Sequence, residues 1–306
     1  MESDWLKKID KKYKEIGEKP EAYLEGLYYA KPITYWDYIE TDTLLTLQRP
    51  RTDIPDEMVF IMYHQVTELI FKMILHEIEQ LMDRQVMDLD FFKQKMGRID
   101  RYFDLLANSF DIMTEGMEVE QYLKFRMTLT PASGFQSAQY RLIELACTDL
   151  VNLTDARYRD EFDPKASWEE KLSKMYWQAA GYRPGVEEKN TLLRLFEERY
   201  LEEFIRTAQK HEGHNIWSIY QELSKAYPED KELISTMRHF DHTVNIRWVM
   251  AHFGAARKYL DSSGKEIPAT GGSAWHKYMH PMYQKRMFFP ALWGPAEQEN
   301  WGKEAF

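Results

Sequence analysis

The sequence predicts an all-α protein. Apolar residues recur at three- and four-residue spacing through most of the 306 residues. Runs of alternating β-branched residues, the mark of half-buried strands, are almost absent. No βαβ alternation and no internal repeat interrupts the pattern, so helix packed on helix is the expected architecture.

The elements follow in order. Trp5, Leu6, Ile9, Tyr13 and Ile16 stand at helical spacing among charges, which predicts an exposed helix and then a second near 20–29. Residues 34–48 open with a threonine cap and continue as a helix. Pro55 suits a first helical turn, and Asp56 and Glu57 complement its positive end. From Met58 to Met82 apolar residues cover most of the circumference, which predicts a buried helix over 55–84. Residues 88–115 continue helical, with Phe91, Met96, Ile99, Phe103 and Leu106 inward. Within 118–141 a helix ends at Thr130 and Pro131, because the residue before proline leaves the α region. Ser133 with Gln136 reads as a capping box that opens a helix to about 152. Residues 153–190 are charged and broken by Pro164, Gly181, Pro184 and Gly185, with a short helix near 167–180. Amphipathic helices follow at 190–210 and 214–226, so about 153–228 reads as a charged helical insertion. A long helix covers 229–260, the segment 261–274 is a loop by composition, and an aromatic-rich tail carries Pro281, Pro290 and Pro295. The whole, 1–306, is expected to form one domain.

Composition narrows the function. A formal charge of −10 argues against nucleic acid, whose binding is dominated by Lys and Arg on phosphates. The one cysteine, Cys147, excludes an internal disulfide framework and fits a reducing cytosol. The first 20 residues are highly charged and carry no secretion signal, and the sequence reads as having no apolar run of about 18 residues, so no transmembrane helix is expected. A cytoplasmic protein with no membrane partner is expected. Aromatics at 14% and 16 Met suit a pocket for a flat, polarizable guest, and equally suit any aromatic-rich core.

Three places carry candidate chemistry. Tyr122 and Arg126 lie four apart and share a helix face, opposite the helix start at Ser133 with its free N–H groups. Such a corner suits a carboxylate, although an Arg–Tyr pair is also a common structural contact. His64 sits mid-helix one turn after Phe60, where a core histidine with one satisfied nitrogen is the plain alternative. His252 is surrounded by Ala251, Gly254, Ala255 and Ala256, small enough for a large planar group to approach the backbone, although a helix-packing alanine patch is the common alternative. His239 and His242, three apart on the same helix, compete as ligands, as a zinc pair or as a solvated face. Di-iron, zinc-protease, dinucleotide, Walker and nucleophile-elbow motifs are absent.

Several of these stretches together resemble the tryptophan 2,3-dioxygenase family. Asp56, Glu57, Met58, Phe60, Ile61, His64, Gln65, Glu68 and Leu69 match one family motif. Tyr122 and Arg126 followed by Pro131, Ser133, Gly134, Phe135, Gln136 and Ser137 match a second. Thr34, Tyr35, Tyr38, Asp42, Leu44 and Leu45 match near the start. Trp248 stands four before His252, and Thr270, Gly271, Gly272 and Ser273 match the family's glycine-rich loop, with Ala269 in place of its first glycine. After His252 the sequence departs from the family: the stretch to that loop is longer and the flanking arginines differ.

The resemblance, in patches from 34 to 275, implies a helical bundle enclosing haem b, with O2 as co-substrate. It implies that His252 ligates the haem iron and that His64 lies on the distal side, facing the indole N–H. Phe60 would pack on the indole, Arg126 would grip the substrate carboxylate, and Tyr122 would shape the pocket and orient Arg126. Thr270 would meet the ammonium and carboxylate. The implied reaction cleaves the indole C2–C3 bond of L-tryptophan to give N-formylkynurenine. A homotetramer is also implied, with Tyr35 and Tyr38 bordering a neighbour's pocket. A haem mono-oxygenase acting on another aromatic amino acid, or a non-catalytic haem-binding helical protein, is the alternative.

Overall fold

The computed structural model describes residues 4–84, 86–129, 136–182, 188–260 and 279–303. Among these every regular element is helical. Among the described residues the extended pairings are isolated bridges between Thr154 and Met175 and between Tyr182 and Lys189. The all-α class is therefore as the sequence predicts.

The chain divides into two compact units, Met1–Gln48 and Arg49–Phe306. The first holds α1 (Asp4–Glu15), α2 (Pro20–Tyr29), α3 (Tyr35–Tyr38) and α4 (Thr41–Leu44). Rings of Tyr13 and Tyr23, 4.2 Å apart, join α1 to α2. The single helix expected over 34–48 is interrupted. Thr34 caps α3 as foreseen, accepting from the Asp37 N–H at 3.3 Å. Glu40 then takes a left-handed conformation, φ 53°, which an α-helix cannot contain.

The second unit starts with α5 (Pro55–Met82) and α6 (Leu89–Ser109), which pack together. Asp88 caps α6, accepting from the Phe91 N–H at 2.9 Å. Then come α7 (Asp111–Thr114), α8 (Val119–Phe125), α9 (Ala138–Cys147) and α10 (Leu150–Leu153). The helix expected over 88–115 thus breaks at Phe110. The helix expected to run from 135 to about 152 starts later, with Ser137 accepting from the Tyr140 N–H at 3.3 Å. Ser133 lies outside the described residues.

One face of α5 buries Ile70, Phe71, Ile74, Ile78 and Leu81 against Phe92, Met96, Ile99 and Phe103 of α6 and Tyr140 and Ile143 of α9. The other face is not buried as predicted. Met62, Val66, Leu69 and Met73, spaced four, three and four, form an exposed apolar stripe. Contrary to the expectation that no apolar run reaches membrane-spanning length, α5 is long and apolar enough to cross a membrane, a test that a core helix passes as well.

Two carboxylates fix the start of α5. Glu57 is 1% exposed and accepts from the Arg51 N–H at 2.9 Å, the Thr52 N–H at 2.7 Å and the Thr52 hydroxyl. Asp56 accepts from the Glu118 N–H at 2.7 Å, tying α5 to the start of α8. Burial alone would raise the Glu57 pKa, but the Thr52 hydroxyl and the two N–H groups hold it below the usual 4.5. Its stabilisation is therefore present above that value and lost as pH falls through the lowered folded-state value. Glu57→Ala should cost about 2 kcal/mol in urea unfolding, since it leaves three half-buried donors without their acceptor. Glu57→Gln should flatten the fall in stability below pH 4.5; an unchanged acid slope would show that Glu57 does not contribute in this way.

The charged segment supplies α11 (Trp168–Ser173), α12 (Thr191–His211) and α13 (Ile216–Ala226). Its Leu193, Phe196, Phe204 and Ile216 enter the main core, with α12 lying on α9. The long helix expected over 229–260 is α14 (Lys231–His242) and α15 (Trp248–Leu260), joined by a π-helical turn, Thr243–Arg247. That turn shifts the phase of α15 relative to α14. Asp241, just before it, is fully buried and accepts from the Phe288 N–H (2.8 Å), the Phe289 N–H (3.1 Å) and the Trp293 indole N–H (2.8 Å). The aromatic tail, with α16 (Pro281–Gln284) and α17 (Pro295–Glu299), is thereby clamped to the end of α14.

Candidate active site

On α5, Phe60 and His64 lie one turn apart with ring centroids 4.1 Å apart. The His64 Nδ1 sits 2.8 Å from the Phe60 carbonyl oxygen. A carbonyl only accepts, so Nδ1 carries the proton and Nε2 presents a lone pair. The ring is exposed by area yet crowded by protein atoms, the situation of a group lining a recess. Burial lowers its pKa below the usual value, against the opposing pull of the Phe60 carbonyl and Glu68.

On α15, His252 is pushed down to about 4, first by burial and then by the nearness of His64. Both imidazoles are therefore neutral at neutral pH, and each disfavours a proton on the other. Phe110 stacks on the His252 ring at 5.4 Å and 17°, and Trp248 lies 6.1 Å away. Trp248 is held from behind by Tyr140 at 4.7 Å and Phe71 at 5.9 Å. Tyr140 in turn accepts from the buried Arg286 at 2.8 Å.

On α8, the backbone tightens after Tyr122. Arg126 is the first residue of a 3₁₀ turn, Arg126–Leu129, where the pattern predicts continuing α-helix. The pair still shares a face. Arg126 is 4% exposed, and its charge partly offsets the burial that raises the Tyr122 pKa. Phe60 lies 6.2 Å from Tyr122 and 5.5 Å from Phe125. The Arg51 guanidinium donates to the Thr128 carbonyl at 3.1 Å, holding the 3₁₀ turn near the start of α5.

Five predicted residues, Phe60, His64, Tyr122, Arg126 and His252, therefore converge on one aromatic-lined region. Tyr63, Phe110, Met113, Met117, Ala255 and Tyr259 form its buried floor. Thr270 falls outside the described residues, as do Pro131, Ser133, Gly134 and Phe135. Tyr35 and Tyr38 lie on α3 of the first unit, both exposed. Of the competing histidines, His239 pairs with Asp104 at 3.3 Å, and His242 faces Trp301 and Arg247 around a surface cavity. Among the described residues no group of three or more metal-ligating side chains forms.

The region fits a haem held by one histidine. The His252 imidazole is neutral, and neither of its nitrogens has a hydrogen-bond partner among the described residues. The buried Trp248 indole N–H beside it is likewise unpartnered. Gly254 faces open space, and a side chain added there would meet no atom within 4 Å. One neutral imidazole is a donor set that haem iron accepts. Sequence reasoning missed Phe110 and Tyr259. Tyr259 stands seven residues after His252, so helical periodicity already places it on the same face; Phe110 gives no such signal, because its contact is long-range.

The comparisons with known proteins show the family of the chain. The sequence model of the family described as tryptophan 2,3-dioxygenase matches residues 28–224. A protein of Ruegeria pomeroyi named tryptophan 2,3-dioxygenase is 27% identical over 276 residues, covering 87% of this chain and 92% of its own length. A Bacillus thuringiensis protein of the same name is 27% identical over 275 residues, with the same coverage. One from Ruegeria sp. is 40% identical over 118 residues, or 38% of this chain. The chain is thus an oxidoreductase of the dioxygenase type and belongs to the tryptophan 2,3-dioxygenase family.

Proposed function

We propose that this protein binds haem b through His252 and cleaves the indole C2–C3 bond of L-tryptophan with O2, giving N-formyl-L-kynurenine. The observation that carries the reading is the convergence of His64, Phe60, Tyr122 and the Phe110-stacked His252 on one aromatic region with Arg126 buried beside it. When bound, haem supplies the activation of O2 that protein side chains cannot provide. Everything else falls to the chain. Arg126 pairs with the substrate carboxylate, and Tyr122 holds the guanidinium in place. Phe60 packs on the indole ring, and Thr270 meets the amino-acid end. Fixing the indole in one orientation turns a collision problem into one of positioning. Burial keeps water out, which strengthens the Arg126–carboxylate contact.

His64 holds the indole N–H through the Nε2 lone pair and does not remove its proton. An indole N–H is a very weak acid, and burial makes this imidazole a weaker base than the ordinary pKa of about 6.5. His64→Ala should therefore slow turnover and weaken tryptophan binding without abolishing activity. The same variant should admit 1-methyltryptophan, whose methyl group clashes with His64 in the wild type. An inert His64→Ala protein with normal haem and tryptophan binding would identify His64 as an essential base and reject this role.

The exposed α5 stripe of Met62, Val66, Leu69 and Met73 supports assembly with further copies, and we propose a homotetramer in which Tyr35 and Tyr38 border a neighbouring pocket. Cys147, free and buried, is compatible with a cytoplasmic location. The substrate assignment is tested by turnover of haem-loaded protein against L-tryptophan, L-tyrosine and L-phenylalanine. Only tryptophan should be consumed; preferential consumption of tyrosine or phenylalanine would reject it.

A further inference from the structure

We propose that Tyr259 is a positioning residue that couples the helix bearing His252 to the helix bearing Tyr122 and Arg126, by holding the Tyr122 ring. The proposal rests on the reading in which Tyr122 orients Arg126 for the substrate carboxylate. Tyr259 lies two turns after His252 on α15 and is 2% exposed. Its ring meets Tyr122 at 4.3 Å, tilted by 39°. Among the described aromatic neighbours of Tyr122 this is the nearest, since Phe125 stands at 5.5 Å and Phe60 at 6.2 Å.

The Tyr259 ring is itself fixed at its far end. Its hydroxyl donates to the Met113 carbonyl and lies 3.5 Å from the Met117 carbonyl. The neighbouring Lys258 ammonium donates to the Thr114 carbonyl. These carbonyls belong to the end of α7 and the turn that leads into α8, so the hydroxyl ties α15 to the chain just before Tyr122. Burial raises the Tyr259 pKa to about 12, so the phenol keeps the proton it donates. Tyr122 is thus in contact with Tyr259 of α15 as well as with Phe60 and Phe125.

The test uses full-length, haem-reconstituted protein and a double-mutant cycle. Tyr259→Leu removes the ring and should raise KM for L-tryptophan about fivefold, with kcat changed by less than about twofold and haem stoichiometry unaltered. Tyr259→Phe keeps the ring and should restore KM to within about twofold of wild type. In a Tyr122→Ala background, Tyr259→Leu should add less than about twofold, because its effect passes through Tyr122. Tyr259→Met, which fills similar space without a ring, gives the same comparison if the leucine variant does not fold. An equal rise in KM in both backgrounds, or no rise at all, overturns the proposal. Unchanged KM in Tyr122→Ala and Arg126→Ala would instead sink the underlying carboxylate reading. A raised KM in those two beside an unchanged KM in Tyr259→Leu sinks the brace alone.

Discussion

His252→Ala is expected to lose haem, while His239→Ala and His242→Ala keep it. The difference lies in available lone pairs. His252 is neutral because burial and His64 hold its pKa near 4, and no described residue engages its nitrogens. His239 is committed to Asp104 and half-exposed, with Thr243 also within 3.5 Å. His242 stands on a different face, beside Trp301. The π-helical turn matters here, because it sets the phase of α15 apart from that of α14. A ligand search by sequence spacing alone treats the three histidines as members of one helix and cannot separate them. The measurement is haem stoichiometry and the Soret band after reconstitution. Haem retained by His252→Ala and lost by His242→Ala would reverse the assignment.

Arg126→Ala is expected to raise KM for L-tryptophan at least tenfold. A charge-assisted hydrogen bond to a carboxylate contributes about 1.5–3 kcal/mol, and about 1.4 kcal/mol is a tenfold change in affinity. Arg126 is nearly inaccessible, so solvent screens it little. By the same argument tryptamine, which lacks the carboxylate, should be a poor substrate of the wild type. Steady-state kinetics on both compounds decides the point, and equal turnover of tryptamine and tryptophan by the wild type rules the role out.

The parts of the fold written in local chemistry were legible in the sequence. Pro55 at a first helical turn and Thr34 as a cap are found where the sequence puts them, because both act within a few residues. The Phe60–His64 and Tyr122–Arg126 pairs were legible for the same reason: four residues on a helix is a fixed geometry. Features set by long-range contacts were not. The 3₁₀ turn at Arg126 and the π turn at Thr243 lie among buried residues, where local propensity yields to packing, while the break at the exposed Glu40 has no explanation in the structure. The exposed face of α5 was hidden, because composition records how apolar a helix is and not which side a neighbour covers. Phe110 reaches the site only through its distant contact with His252; the place of Tyr259 on the His252 face was legible, but its contacts with Met113 and Tyr122 were not.

The most direct test of the account is the fate of oxygen. Haem-reconstituted protein, reduced to the ferrous state, is supplied with L-tryptophan and ¹⁸O₂, and the product is weighed by mass spectrometry. The account predicts N-formylkynurenine carrying both atoms of one O2 molecule, since cleavage of the C2–C3 bond leaves one oxygen on each carbon. A product with a single labelled oxygen and an intact indole ring would contradict it.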